Sequence, residues 1–210
     1  TGATVMSQLD DLPKSILFYR QQLQWLGGMG IIVLAVAVLP LLGVGGMELY
    51  HAESSGIAKD RLTPKLRNTA IALWKIYVSL TVLCALGYFL SGMGIFDAVS
   101  HSFSTVAIGG FSTHDASIGY FNSISIEMVA MFFMFLAGIN FSLHFLAWNN
   151  KSFIDYIKDS EFKTYTMVLF VSSIIVIIAL GFNSEYSSAI ETIRHSLFQT
   201  ISIATTTGYS

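Results

Sequence analysis

The chain closes on Thr205-Thr206-Thr207-Gly208-Tyr209-Ser210, a polar, glycine-bearing run at the end of a hydrophobic segment. Non-helical backbone persists at bilayer depth only where it is packed in protein or faces a water-filled cavity. Such a loop is a candidate ion filter: stacked carbonyl oxygens replace an ion's hydration shell, and glycine permits backbone angles that a β-carbon forbids. Ninety-eight positions upstream, Ala107-Ile108-Gly109-Gly110-Phe111-Ser112 sets Gly110, Phe111 and Ser112 against Gly208, Tyr209 and Ser210. Thr1-Gly2-Ala3-Thr4 reads as a third, truncated copy.

Composition agrees with a chain that lives in lipid: 53% hydrophobic and 11% charged, with a mean hydropathy of +0.64. A water-soluble domain carries roughly a quarter charged residues. A net charge of -2 and no long basic tract argue against a nucleic-acid partner. Cys84 stands alone in an apolar run, so it has no internal disulfide partner and reads as a small buried hydrophobe. No Cys/His/carboxylate spacing points to a metal centre, and neither a nucleophile elbow nor a Walker loop is present. The chain opens without an initiator methionine or signal peptide and stops inside a motif, so a piece of a longer membrane protein is expected.

In chain order, 5–24 is a polar exterior loop leading into a helix, and Trp25 to Met47 runs 23 residues without a charge, enough to cross a bilayer with some tilt. Gly27, Gly28 and Gly30 favour close helix packing over direct ion contact, and Pro40 is expected to kink the span. A charged loop, 49–68, separates it from a second span, 69–90, interrupted only by Lys75 near the end from which it can snorkel. Residues 94–106 are apolar but too short to cross, which favours a re-entrant half-helix leading into the loop at 107–112. A helix aiming its C-terminal end at a pore axis offers partial negative charge there, which suits a cation. A third span at 121–148, a charged loop at 149–163 and a fourth span at 164–182 follow. A second short helix, 188–203, then delivers the chain to 204–210.

The unit of span, re-entrant helix, loop and span therefore recurs, complete over 69–148, with 1–48 as the end of one unit and 164–210 as the front of another. The expected fold class is all-α transmembrane, with helix–pore loop–helix units arranged pseudo-fourfold around a central ion path. Four loops are wanted for a K⁺-like ring of carbonyls, and three are visible. Lys59, Arg61, Lys65, Arg67, Lys151, Lys158 and Lys163 lie in the two loops on one side, so those loops are predicted to be cytoplasmic and the filter-like loops to enter from outside. The plainer reading of each Thr/Gly/Ser-rich stretch is helix packing or a turn; the shared position after a short helix favours the pore. Glu127 is expected near the outer interface, solvated, and His144 to be structural. Asn140 either lines the pore or bonds a neighbouring helix.

These residues resemble the TrkH/TrkG/KtrB superfamily of potassium transporters. The matching stretches are Gln24-Trp25-Leu26-Gly27-Gly28-Met29-Gly30, Ser104 to His114, Gly138-Ile139-Asn140-Phe141 and Ala204 to Ser210. The resemblance implies four covalently joined units, with Gly2, Gly110 and Gly208 as filter glycines. Thr1, Ile108, Gly109, Thr206 and Thr207 become carbonyl donors of the K⁺ filter, flanked by Ala107, Phe111, Thr205 and Tyr209. It further implies a non-enzymatic transporter, a homodimer in the bacterial inner membrane and a cytoplasmic, nucleotide-binding TrkA-like ring that gates it, with K⁺ as the transported ion and no bound cofactor. Only one glycine per loop is shared, so looser selectivity is expected. A Na⁺-selective or non-selective relative is the nearest rival; an intramembrane hydrolase and a non-conducting sensor are more distant ones. The sequence that follows Ser210 in the intact protein is predicted to contain a further span, short helix and glycine loop.

Overall fold

A computed structural model describes residues 6, 8–38, 59–183 and 188–210, with the backbone alone for 31–38, 59–69 and 183. Thr1, Gly2, Pro40 and residues 49–58 of the first charged loop lie outside the described residues. Every regular element among those described is helical. α1 is Lys14–Val38, α2 is Lys59–Leu90, α3 is Ile95–Val106, α4 is Ile124–Ala137, α5 is Phe141–Asn150, α6 is Ile154–Lys158, α7 is Ser160–Asn183 and α8 is Ala189–Ala204. α2 begins within the stretch expected to be a charged loop, but its apolar part, Ala70–Leu90, is the segment suited to crossing a membrane. α7 offers a second such segment, Ser160–Phe182, and leaves Met167, Phe170, Ile175 and Phe182 exposed. A surface of that kind is stable against lipid or other apolar protein rather than water.

The two short helices end alike. α3 and α8 stop at Ala107 and Thr205, both in right-handed helical geometry. Ile108 and Thr206 then turn to left-handed φ angles of 53° and 65°. Ile108 N–H donates to Thr105 O at 3.1 Å and Gly109 N–H to Ser104 O at 2.8 Å. Thr206 N–H donates to Ile203 O at 2.9 Å, and the second bond shifts by one residue relative to the first loop, Gly208 N–H donating to Ser202 O at 3.1 Å. This turn satisfies the last carbonyls of a helix and normally takes glycine at the left-handed position. The chain places β-branched residues there instead.

The expected single span at 121–148 is in fact broken: α4 and α5 meet at 89°. Two residues account for the break. A β-carbon on Gly138 would lie 2.4 Å from Tyr165 Oη of α7, so only glycine lets that hydroxyl in. Asn140 caps α5, its side-chain oxygen accepting the Ser142 N–H at 2.9 Å, while its amide donates to Glu161 at 3.1 Å on α7. His144 is structural, as expected: Nε2 sits 3.0 Å from Leu136 O and Nδ1 2.8 Å from the Tyr156 hydroxyl. The first contact ties α5 to α4 across the break, and the second ties it to α6.

Glu127 departs from its expected interfacial solvation. It is 7% exposed and pairs with Arg194 of α8, Nε to Oε2 at 3.2 Å. Sequence position placed Glu127 near an outer helix end, but the arginine that covers it lies 67 residues away on another short helix. Removing one partner of a buried pair leaves an uncompensated charge. Glu127→Ala is therefore expected to destabilise the intact protein by about 3 kcal/mol, whereas Glu127→Ala with Arg194→Leu restores most of that loss. Thermal unfolding of detergent-solubilised, full-length variants measures both.

Candidate ion filter

Two loops make up the candidate site, 107–112 after α3 and 205–210 after α8. Their backbones repeat along with their sequence. After the paired left-handed residues Ile108 and Thr206 come Gly110 and Gly208, again left-handed at φ 73° and 82°. For a β-branched residue a positive φ is strained, so Ile108 and Thr206 hold this geometry because their surroundings impose it. Alternating hands along a short stretch turns successive carbonyls differently from those of a helix or strand. Among the described residues, no hydrogen bond ends on the carbonyl oxygens of Ile108, Gly110, Thr206, Thr207 or Gly208. Gly109 differs: its carbonyl accepts from Gln24 Nε2 of α1 at 2.9 Å, so one of the expected donors is already engaged.

Both loops are held from behind. Gln24 Oε1 accepts the Ser104 hydroxyl at 2.7 Å and the Phe111 N–H at 3.3 Å, and the Arg20 guanidinium lies 4.7 Å from the Phe111 ring centre. Gly28 of the same helix admits Ala107, since a β-carbon there would lie 3.2 Å from the Ala107 Cα. The glycines of α1 thus include one that packs directly beneath the loop. In the second loop, Ser202 Oγ donates to Tyr209 O at 2.7 Å and the Thr205 and Thr207 hydroxyls lie 2.8 Å apart.

Tyr209 joins the second loop to the helix that carries the first. Its ring is 1% exposed, and its hydroxyl lies 3.2 Å from His101 O and 3.1 Å from Thr105 Oγ1, both on α3. Ser210 N–H donates to Ser117 Oγ at 3.2 Å, and Gly119 N–H to Ser210 O at 3.2 Å. The equivalent aromatic, Phe111, leans on α1 in the same sense. Each loop therefore rests on the unit that precedes it.

A buried chain of hydrogen bonds fixes the C-terminal end of the first loop. His101 Nδ1 faces Asp97 O at 2.8 Å and so carries the proton, leaving Nε2 to accept from Ser112 Oγ at 2.9 Å. Ser112 Oγ in turn accepts the His114 N–H at 3.0 Å. A serine–histidine contact invites comparison with a hydrolase, but His101 is 0% and Ser112 5% exposed. With no route for substrate, the pair acts as a brace. Above it His114 stacks on Tyr120 at 3.5 Å and pairs with Asp10, whose carboxyl that hydrogen bond holds below its usual pKa. Of the two roles expected for Asn140, pore lining or a bond to a neighbouring helix, the second matches its hydrogen bond to Glu161 of α7.

Gln24, Tyr209's partner Thr105 and the His101 chain were not among the expected site residues. Gln24 does stand in the stretch that carries the family resemblance, yet nothing local to it says that a loop 85 residues later will fold against it.

The whole chain, residues 1–210, matches the family model described as TrkH, cation transport protein. It is 54% identical over 213 residues to the Trk system potassium uptake protein TrkH of Halomonas elongata and 53% identical over 211 residues to that of Escherichia coli K12, covering all of this chain and 44% of each relative. The crystal structure of the potassium transporter TrkH from Vibrio parahaemolyticus superposes with a TM-score of 0.88 at 48% identity, over all of this chain and 42% of that one. The chain thus spans less than half the length of these relatives, and it belongs to the TrkH family of membrane cation transport proteins.

Proposed function

We propose that the chain provides filter-bearing units of a potassium uptake protein, in which K⁺ sheds water at rings of main-chain oxygens contributed by successive loops. The observation that carries this reading is the repetition of left-handed geometry at Ile108 and Thr206, then at Gly110 and Gly208, with undonated carbonyls on the same residues. An unpaired carbonyl in a low-dielectric interior costs free energy comparable to a lost hydrogen bond. That cost falls on the buried Gly110 and Thr207, with Ile108 half-buried and Thr206 and Gly208 open at the surface of this chain; a dehydrated cation on the loops' open side would satisfy all five. α3 and α8 both end at these loops, adding the partial negative charge of two helix C-termini. Thr1 and Gly2 are assigned to the corresponding loop of the preceding unit, and a fourth loop closes the ring. The relatives' printed names, potassium uptake proteins, support K⁺ over the Na⁺ alternative.

In the same reading the protein is an inner-membrane homodimer gated by a cytoplasmic, nucleotide-binding TrkA-like ring, and loops 49–68 and 149–163 face the cytoplasm. That assignment rests on the resemblance and on the seven basic residues in those loops.

Gly110→Ala and Gly208→Ala are each expected to lower the preference for K⁺ over Na⁺ by roughly tenfold, because a β-carbon at a left-handed residue adds about 1–2 kcal/mol of strain that the loop relieves by moving its carbonyls. Competitive isotope uptake of K⁺, Rb⁺ and Na⁺ into proteoliposomes of the full-length protein reads this; unchanged preference in both variants removes the filter assignment. Thr206→Gly has the opposite sign in the native state, relieving about 1 kcal/mol of left-handed strain. Its unfolding temperature should match or exceed that of the parent while its ion preference falls. For orientation, Lys158→Cys should react with an impermeant maleimide only from the cytoplasmic side, and Tyr120→Cys only from outside, in an otherwise cysteine-free protein. The reverse pattern overturns the topology.

A further inference from the structure

Given the filter reading above, we infer that Gln24 is a positioning residue for ion selectivity: its carboxamide, borne by the helix of one unit, sets the carbonyl of Gly110 in the next. The geometry is specific. The amide nitrogen donates to Gly109 O at 2.9 Å, and the amide oxygen accepts from Phe111 N at 3.3 Å. These are the peptide groups on either side of Gly110. Gly109 O can only accept and Phe111 N–H can only donate, so these two fix the amide's orientation, and the Ser104 hydroxyl, at 2.7 Å, completes the set by donating to the oxygen. One side chain therefore pins the loop at two backbone points and leaves the carbonyl between them undonated.

Contact is close on both sides. A β-carbon on Gly109 would lie 2.4 Å from the Gln24 amide carbon, so glycine at 109 serves the approach of Gln24 and not an unusual backbone angle. This explains why the first loop carries two consecutive glycines while the second carries one. At the position equivalent to Gly109 the second loop has Thr207, whose hydroxyl lies 2.8 Å from that of Thr205 and whose carbonyl receives no donor among the described residues. The two loops are thus fixed by different means at the same level. In the first, an amide from another unit takes up the carbonyl; in the second, threonine hydroxyls stiffen the turn and the carbonyl stays open. The ring at this level is asymmetric, and Gln24 makes it so.

Gln24→Met keeps the length of the side chain and removes all three bonds. Gln24→Glu keeps the two acceptor contacts, to Ser104 and Phe111, and replaces the donor to Gly109 with a carboxylate oxygen that repels the Gly109 carbonyl. Gln22→Leu, on an exposed position of the same helix, controls for a change of side chain on α1. Full-length variants are reconstituted into proteoliposomes, checked for folding by size-exclusion profile and thermal unfolding, and assayed for competitive K⁺ and Na⁺ uptake. Loss of three hydrogen bonds in Gln24→Met and of one in Gln24→Glu is expected to lower the K⁺ over Na⁺ preference by roughly three- to tenfold in each, with Gln22→Leu unchanged. If Gln24→Met does not fold, Gln24→Glu decides the matter. Parental preference in folded Gln24 variants, alongside a shifted preference in Gly110→Ala, overturns the role of Gln24 alone. Parental preference in the glycine variants as well overturns the filter reading on which it rests.

Discussion

A main-chain carbonyl with no donor is tolerable inside a membrane protein only if something else meets its lone pairs. Ile108, Gly110, Thr206, Thr207 and Gly208 present such oxygens, and much of the surrounding structure serves to keep them from collapsing onto nearby N–H groups. Short helices end in a turn that would ordinarily need glycine. Serine, threonine, histidine and glutamine side chains then take up the neighbouring polar groups, so that the oxygens left open are a selected set. The loops are consequently rigid through hydrogen bonding rather than through burial of apolar side chains.

That rigidity is shared between units. Gln24 reaches from α1 to the loop after α3, and Tyr209 reaches from the loop after α8 back to α3. Glu127 and Arg194 add an ion pair between α4 and α8. Polar contacts of this kind are suited to a lipid-embedded protein, where apolar packing alone has little preference between a neighbouring helix and a lipid tail.

The sequence revealed what is local or repeated. The apolar runs at 69–90 and 164–182 marked segments suited to crossing a membrane, the short apolar helices at 94–106 and 188–203 lie within a residue of α3 and α8, and the shared Gly110 and Gly208 fall at matching backbone positions. What escaped is what depends on chain partners far away. The break at Gly138 was hidden because the chain stays mostly apolar on both sides of it, from Met128 to Ile139 and from Phe141 to Trp148; its cause is a tyrosine hydroxyl supplied by α7. Glu127 looked solvated because its arginine lies in another unit. Gly109 read as one more carbonyl donor, whereas it is the contact point for an amide whose distance in sequence gives no hint of it.

Tyr209 also bears on how such a protein is made. Its hydroxyl needs His101 O and Thr105 Oγ1, so the last loop cannot settle until α3 is already in place. A ribosome delivers α3 about a hundred residues earlier, and domains tend to fold in the order in which they emerge. The linkage of these units in one polypeptide, each leaning backward on its predecessor, thus gives biosynthesis a direction that four separate identical subunits would lack.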